Sequence, residues 1–413
     1  MPNIANNRKS CLIMGLGHTG CRVLESLALL KGYSDIDTFA IDTDSSDLSK
    51  LDAIGVRTLL LGSESVGNHG TGGDHEQAMH IIMDAGDAVK RELSQRRLLI
   101  LVAALGGGTG GAAEEILKLA DESLLPTVFL AVMPFYFESS ERRKRAEELL
   151  SQMDNHCQVL VRVPNDKLLA QYSHTPAADA FGRAADYLAK AALCISTPFA
   201  SENLFNVTPG IFNTLSLQDG NPRCLLAHAV CDGADGIKNL KELLGHQYVF
   251  EDEHLIESID RAVALLRVSP LCKEEEMDFA IRQATEMLPN AEVEVAACID
   301  DKMVEYMSVT LLLHPSQMAY SEDDAEEESD DVENESESES DDVQAEIMLP
   351  EPEMPIQPQK HGRGKNLTSR QLQIQFEEDE LGIFAGDPKN EWNGSNIDIP
   401  VFKRQKITID KGT

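Results

Sequence analysis

Residues 98–120 read LLILVAAL, GGGTGG and AAEEILKLA in succession. The first part has the length and apolar composition of a buried strand, and the last part has the spacing of a helix. Between them, five glycines in six positions remove Cβ atoms where consecutive backbone amides must approach a phosphate, and Thr109 can add a hydroxyl. A purely structural turn explains this run poorly, so we interpret residues 106–111 as a phosphate-binding loop.

A second glycine loop lies close to the N-terminus, where CLIMGL leads into GLGHTG at residues 15–20. A G-x-G-x-x-G loop that follows a strand and opens a helix brings backbone N–H groups to a diphosphate. On its own it also fits a structural turn or a dinucleotide-binding fold, because Asp42 stands where such folds carry a ribose-binding acid. Two glycine loops after two strands of one sheet instead indicate one nucleotide held from both sides.

The first half of the chain alternates short β-rich runs with segments of helical period, which predicts a parallel sheet covered by helices. The β-rich runs are CLIMGL, DTFAID, RTLLLG, RLLILVAAL, TVFLAVM and CQVLVRV. The alanine-rich segment DAFGRAADYLAKAALCI then predicts one long helix between residues 177 and 195.

The second half predicts a smaller α+β domain. CLLAHAVC, EVEVAACI and MSVTLLL are predicted as strands, and KNLKELL, LIESIDRAVALL and MDFAIRQATEML as helices. The predicted fold is therefore an α/β, parallel-sheet nucleotide-binding domain, a long central helix, a smaller α+β domain and a disordered acidic tail. The predicted boundaries are 1–180, 181–205, 206–318, a linker at 319–395 and a terminal peptide at 396–413.

Charge is concentrated towards the C-terminus. The 413 residues include 36 Lys and Arg against 70 Asp and Glu, a formal charge of −34 that argues against nucleic acid as the main partner. Fifteen of the 70 acidic residues lie in residues 321–346, a stretch without Lys or Arg, where low hydrophobicity and high charge predict a disordered linker. The chain then carries a short apolar and basic segment, NIDIPVFKRQK.

Cysteine spacing and hydropathy predict a cytoplasmic protein with reduced thiols. The eight cysteines stand singly without C-x-x-C spacing, so we expect neither disulfides nor zinc. The N-terminal residues lack the pattern of a signal peptide, and no apolar run approaches the roughly 18 residues of a membrane span.

In its order of motifs the chain resembles the tubulin/FtsZ family of bacterial cell division. Residues 106–111 are similar to the family signature GGGTGTG with one residue missing, and VPNDKLL at 163–169 nearly matches I-P-N-D-R-L-L. FAIDTDSSDL at 39–48 is similar to a segment that ends in N-T-D, with Asp42 where Asn is usual. Residues 67–73 resemble the loop over the terminal phosphate, and residues 261–271 and 301–313 resemble parts of the family's second domain.

The resemblance implies GTP or GDP as the ligand, with magnesium accompanying the nucleotide. Glu138 would bind the ribose, Arg142 would lie against the nucleotide and Phe181 would stack on the guanine. Without the resemblance, the first two fit a charged helix start and Phe181 fits a core aromatic. The implied nucleotide-binding residues are Gly15, Gly17, His18, Thr19, Gly20, Cys21, Arg22, Asp42, Gly70, Thr71, Gly72, Gly106, Gly107, Gly108, Thr109, Gly110, Glu138, Arg142, Phe181 and Asp186.

The chain departs from the family pattern in the loop that completes the hydrolytic site of the next subunit. The family's N-x-D-x-x-D motif reads N-V-T-P-G-I here: Asn206 is the remaining catalytic candidate, while Thr208 and Ile211 replace the two acids. We therefore expect GTP hydrolysis to be weak or lost. Glu202 is close in sequence but out of register.

Base recognition and the second domain depart as well. Arg22 stands where the family has Asn, and Ala185 stands where it has Asp or Asn. Asp186 is one residue further on, about 100° round the helix, so guanine selectivity is weakened unless a small helix rotation restores it. The segment between residues 270 and 277 is short for the family and predicts a trimmed second domain.

The leading prediction is an FtsZ-like protein that binds GTP and assembles head to tail into filaments at the division site. The alternatives are a non-hydrolysing scaffold that recruits division partners and, remotely, an NAD-dependent dehydrogenase built on residues 15–20 and Asp42. The terminal segment resembles the peptide that docks on division or membrane-tethering proteins, and the chain itself is not expected to span the membrane. The implied partner-binding residues are Asp398, Ile399, Pro400, Phe402 and Arg404.

Overall fold

The computed structural model describes residues 10–30, 36–172, 174–200, 204–205, 207–216, 222–316, 391–392 and 395–396. It divides into two units, residues 1–334 and 335–413. In the first unit the strands are β1 (Cys11–Leu16), β2 (Asp37–Asp42), β3 (Arg57–Leu60), β4 (Leu98–Ala104), β5 (Thr127–Val132), β6 (Val159–Val163), β7 (Arg223–Cys231), β8 (Ile259–Val268), β9 (Glu292–Ile299) and β10 (Met307–Pro315). The second unit contributes β11 (Glu391–Trp392) and β12 (Ser395–Asn396), which pair antiparallel.

Helices connect most of the strands of the first unit. They are α1 (Gly17–Leu29), α2 (Ser45–Ala53), α3 (Ser63–Val66), α4 (His75–Asp84), α5 (Gly86–Leu93), α6 (Gly108–Gly111), α7 (Ala113–Glu122), α8 (Ser140–Met153), α9 (Asn165–Ala170), α10 (Ala177–Ala200), α11 (Ala234–Lys238), α12 (Leu240–Gly245), α13 (Glu253–Ser258) and α14 (Glu274–Glu286). Short 3-10 helices cover Asp154–His156, Pro209–Ser216 and Tyr248–Phe250.

The described strands of the first unit form one ten-stranded sheet in the order β3-β2-β1-β4-β5-β6-β7-β10-β8-β9. The first six are parallel, as the alternation of strand and helix patterns predicts. Strand β10 is antiparallel to both β7 and β8, and β9 is parallel to β8. The mostly parallel α/β fold is therefore confirmed.

Helices cover both faces of the parallel part, which explains its nearly continuous apolar strands. Successive residues of β1 face opposite sides: Cys11 and Ile13 join the core around α10, whereas Leu12 and Met14 join the core on the opposite face. All seven residues of β4 except Ala104 are fully buried. This burial fixes the strand ends from which the glycine loops project.

One secondary-structure prediction is wrong. The sequence predicts a helix over residues 255–266, LIESIDRAVALL, but α13 ends at Ser258 and the rest belongs to β8. Strand β8 lies between β10 and β9 and is buried on both faces, and its central residues 262–266, AVALL, form an apolar run. A run of this kind cannot be told from a buried helix by periodicity.

The cysteine side chains lie mostly in the core. All eight cysteines are free, seven of them are buried, and burial raises the pKa of the Cys11 thiol to about 11. Such thiols act as small apolar core residues. Among the described residues, no helix is both long and apolar enough to cross a membrane.

Candidate functional site

A cavity of about 440 Å³ opens at the carboxyl ends of β1, β2, β4 and β5, where ligands bind in open parallel sheets. Fourteen of the predicted nucleotide-binding residues line it. They are Gly17, His18, Thr19, Asp42, Gly70, Thr71, Gly72, Gly106, Gly107, Gly108, Thr109, Gly110, Glu138 and Arg142. Sequence reasoning missed further lining residues, among them Asp44, Asp47, Phe135 and Asn165. We call this space the loop cavity.

The glycines of the second loop serve two purposes. A Cβ on Gly108 would lie 1.9 Å from Thr71 Oγ1, and one on Gly110 would lie 2.2 Å from the carbonyl oxygen of Ala104. These two glycines are needed for packing of the protein itself. A Cβ on Gly107 would meet no described atom within 4 Å, so this glycine leaves room in the loop cavity.

The first loop begins α1 with a left-handed residue, Gly17, at φ +69°. The N-cap of α1, Leu16, makes no side-chain capping bond within the described chain, so the first amides of the helix are available to an anion. Gly15 and Gly20 are packed together outside the lining, since a Cβ on Gly15 would lie 2.4 Å from the carbonyl oxygen of Gly20. They allow α1 to start close to β1.

Acidic side chains gather at the end of β2 and in α2. Asp42 is 3% exposed and accepts a hydrogen bond of 2.7 Å from the amide of Thr43, while burial raises the pKa of its carboxyl. The thiol of buried Cys21 contacts the same carboxyl, with its Sγ 3.9 Å from Oδ2. This acid therefore belongs to the wall of the cavity rather than to its solvent-facing rim.

Asp47 forms a contact that bridges the first loop and α2. Its Oδ2 lies 2.5 Å from Nδ1 of His18, and its Oδ1 accepts a 3.0 Å hydrogen bond from Lys50. Burial opposes ionisation of this carboxyl, but the hydrogen bonds from His18 and Lys50 outweigh burial and lower its pKa. The site thus holds an ionised acid beside the imidazole of the first loop.

Glu138 and Arg142 form a preorganised pair at the other side of the cavity. Arg142 Nη1 lies 2.7 Å from Glu138 Oε2, and Arg142 Nε donates to the carbonyl of Gly106 at 2.7 Å. The other carboxylate oxygen of Glu138 accepts from the amide of Phe135 at 2.9 Å. A guanidinium held in this way keeps donors for an anionic ligand.

Thr71 provides an independent sign of a polar ligand. Its Oγ1 is buried and has no hydrogen-bond partner among the described residues, although it belongs to the wall of the loop cavity. Nearby, the hydroxyls of Thr43 and Thr109 are 2.8 Å apart and satisfy each other. A buried hydroxyl without a partner costs about 1–3 kcal/mol, which a phosphate oxygen would recover.

The predicted base-binding residues lie outside the lining of the cavity. Phe181 is 44% exposed and packs edge-on against Phe135 at 5.4 Å between ring centroids. Phe135 lines the cavity, so Phe181 lies behind a lining residue and is not itself part of the lining. Arg22 lies 3.8 Å from Glu25, and Asp186 lines a different cavity. Recognition of a base by these three residues stays a prediction.

The loop after α10 is described only in part. Asn206 and Glu202 lie outside the described residues, as do the acidic linker and the terminal peptide that includes Asp398, Ile399, Pro400, Phe402 and Arg404. Thr208 is exposed, whereas Ile211 is 6% exposed and packs in the core with Phe212. The position at which the resemblance expects an acid thus carries a core side chain.

Comparison with known sequences agrees with the geometry. Residues 10–173 match the Tubulin/FtsZ family GTPase domain. Cell division protein FtsZ of Methanothermobacter thermautotrophicus is 25% identical over 312 residues, covering 75% of this chain and 80% of the relative. FtsZ of Helicobacter pylori strain J99 is 30% identical over 198 residues, covering 48% of this chain and about half, 51%, of that relative.

Solved structures share the fold. An empty FtsZ dimer from M. jannaschii superimposes with a TM-score of 0.62 at 22% identity, covering 76% of this chain and 90% of that chain. A CetZ2 from Haloferax volcanii, described as a GTPγS-bound protofilament, gives 0.57 at 18% identity, covering 75% and 94%.

Proposed function

We propose that this chain, a divergent member of the tubulin/FtsZ superfamily, is a filament-forming protein of cell division that binds GTP or GDP in the loop cavity. The observation that carries the proposal is the convergence of two glycine loops and the unpartnered Thr71 hydroxyl on one cavity at the strand ends. Uncapped helix starts and an oriented guanidinium supply the donors that a polyphosphate needs.

Each wall of the cavity has a role in this proposal. The amides after Gly17 and around Gly107 bind phosphates, with Thr71 and Arg142 donating to their oxygens. Glu138, already oriented by the amide of Phe135, accepts from the ribose hydroxyls. Phe181 and Phe135 form an aromatic edge beside which the base packs.

Magnesium fits this site only together with the nucleotide. Among the described residues, no three or more His, Cys, Asp or Glu side chains cluster as a metal site. Magnesium usually takes one or two carboxylates and completes its shell with phosphate oxygens and water. Asp44 lines the cavity and would provide such an oxygen, whereas both oxygens of Asp47 are held by His18 and Lys50.

Self-association is the second part of the proposal. Its support is the fold shared with an FtsZ dimer and with a CetZ2 protofilament. We expect GTP to cause the protein to pellet at high speed as polymer, with GDP as the control nucleotide, while released phosphate is measured in the same samples. Pelleting that is independent of nucleotide would contradict the filament proposal.

Phosphate release distinguishes the two remaining candidate functions, a cytomotive filament and a non-hydrolysing scaffold. Assembly with slow phosphate release indicates a cytomotive filament, whereas stable assembly without release indicates a scaffold that uses the nucleotide structurally. In both cases we propose a cytoplasmic protein located at the division site. Tighter binding of NADH than of GTP would instead favour the remote alternative, an NAD-dependent dehydrogenase.

The terminal segment is proposed to be a recognition peptide on an acidic tether. Apolar Ile399 and Phe402 are followed by basic Lys403 and Arg404, after a long acidic stretch, and this composition suits docking on a partner. Deleting residues 396–413 is expected to leave GTP-dependent pelleting unchanged and to abolish localisation of a fluorescent fusion at the division site. A matched deletion of residues 321–338 within the linker should keep localisation. Loss of pelleting in the shorter protein would place the peptide in the filament instead.

A further inference from the structure

A second cavity, of about 480 Å³, lies beside residues 228–230 of β7, beyond the part of β7 that pairs with β6. The two strands pair at Leu160↔Arg223 and Val161↔Cys224, after which β7 continues beside α10 and α12. Helices α10 and α12 and the edge of β7 at residues 228–230 form its walls. Within the described chain, none of the residues that line this cavity lines the loop cavity, so it is a separate space.

Helix α10 makes the wall of this cavity positively charged. Arg183, Asp186 and Lys190 stand at positions i, i+3 and i+7, and therefore lie on one face of the helix. Neither cation forms an ion pair within 4.0 Å of a described carboxylate, including that of Asp186. Two cations against one acid leave the wall with a net positive charge.

Two buried polar atoms of the lining residues add unmet hydrogen-bonding capacity. Gln171 Nε2, which can only donate, has no partner among the described residues, and neither has Nε2 of His228. His228 is 4% exposed, and its other ring nitrogen lies 2.8 Å from Thr310 Oγ1. Burial, with the charges of Lys190 and Arg267, lowers the pKa of His228 to about 3, so the ring is neutral near pH 7.

The edge of β7 is closed to a peptide strand at His228. The amide of His228 donates to Gln247 Oε1 at 3.0 Å, and the Gln247 amide donates back to the carbonyl of His228. Tyr187 donates to the same Gln247 oxygen at 2.8 Å. With these backbone groups satisfied, an added strand would find no ladder partner at His228, which favours a small molecule as the occupant.

We propose that this cavity binds a small organic oxyanion, a phosphate ester or carboxylate carried on a planar ring. Arg183 and Lys190 supply the positive charge, and the side-chain amide of Gln171, unpartnered within the described part of the chain, supplies a further donor. The ring packs beside Tyr172, over which the Arg183 guanidinium already lies at 6.0 Å from the ring centroid. A volume of about 480 Å³ suits a ligand of this size.

The test uses phenyl phosphate and benzoate as probes and benzamide as a neutral probe of similar shape. Binding to the full chain is followed by calorimetry and by the ring signals of ¹⁵N-histidine, with and without saturating GDP. We expect at least one of the two anions to bind with the same affinity in both conditions and to shift the His228 signals. The double variant Arg183→Gln/Lys190→Gln should weaken its binding at least about tenfold, as expected for lost charged hydrogen bonds.

Lys238→Gln is the matched control, because Lys238 is paired with Asp235 on the surface and lies outside the lining. It should bind the probes as the parent protein does. The proposal is overturned if neither anion binds at up to about 10 mM, tenfold above the 1 mM end of the affinity scale, if benzamide binds equally well, or if the double variant keeps the parent affinity while its thermal transition is unchanged. Competition by GDP would assign the probes to the loop cavity instead and would equally overturn it.

Discussion

The variant Gly107→Val is expected to fold as the parent protein does and to bind GTP at least about 10²-fold more weakly, a loss of about 2.7 kcal/mol. Gly107 has φ −94° and ψ 176°, an extended conformation that valine adopts readily. Its Cβ would meet no described atom within 4 Å, so the added methyl groups enter the space where phosphates would bind. Calorimetric titration with GTP, together with the thermal transition of each protein, measures both halves of this expectation.

Gly86→Val is the matched control for the Gly107 variant. Gly86 begins α5, lies outside the lining of the loop cavity, and also has room for a Cβ. The control should change in stability by no more than a few tenths of a kcal/mol, and it should keep its GTP affinity. Unchanged GTP affinity in Gly107→Val would remove the nucleotide from this loop.

Much of the fold could be predicted because parallel strands covered on both faces give apolar runs that end at glycine or polar residues. Strands β1 and β2 have the predicted ends, and β4 begins and ends one residue inside its predicted run. Strand β8 could not be predicted in the same way, since periodicity alone does not distinguish a buried strand from a buried helix. Strands β9 and β10, which pair with β8, come later in the chain, so nothing within the β8 segment itself indicates this pairing.

The candidate site was predictable where it is local and hidden where it depends on distant contacts. Glycine loops are visible in the sequence because several amides must be exposed together. The contact between His18 and Asp47 joins residues 29 apart, and no spacing rule indicates it. The Thr71 hydroxyl, which has no hydrogen-bond partner among the described residues, likewise lies against a residue distant in sequence, Gly108.

The loop after α10 shows most clearly what the sequence alone leaves out. By resemblance, Thr208 and Ile211 stand where two acids are expected, and in the sequence they look equivalent. In the fold Thr208 is exposed, whereas Ile211 is 6% exposed and packs with Phe212. An acid can therefore be introduced at the first position without burial, but not at the second.

We expect the protein to release phosphate from GTP at least about 10²-fold more slowly than a family member with both acids, since one general base or water-orienting group contributes that much. Thr208→Asp should raise the turnover of assembled protein, because it places a carboxylate on the exposed loop. Thr208→Asn, which has the same shape without the charge, is the control. Phosphate release per subunit in the pelleted polymer measures the difference.

Ile211→Asp is expected to act in the opposite direction, on stability. A carboxylate at this buried position would be desolvated without a counter-ion, which costs several kcal/mol, whereas Ile211→Val removes a single methylene and should cost about 0.5–1.5 kcal/mol. Urea unfolding of the two variants measures that difference. Since loss of the folded state would also end assembly, the double variant Thr208→Asp/Ile211→Asp should be less active than Thr208→Asp alone. For the parent protein itself, rapid phosphate release that depends on assembly would contradict the expected slow hydrolysis. Glu202→Gln would then be the variant to test, because Glu202 is an acid close to this loop in sequence.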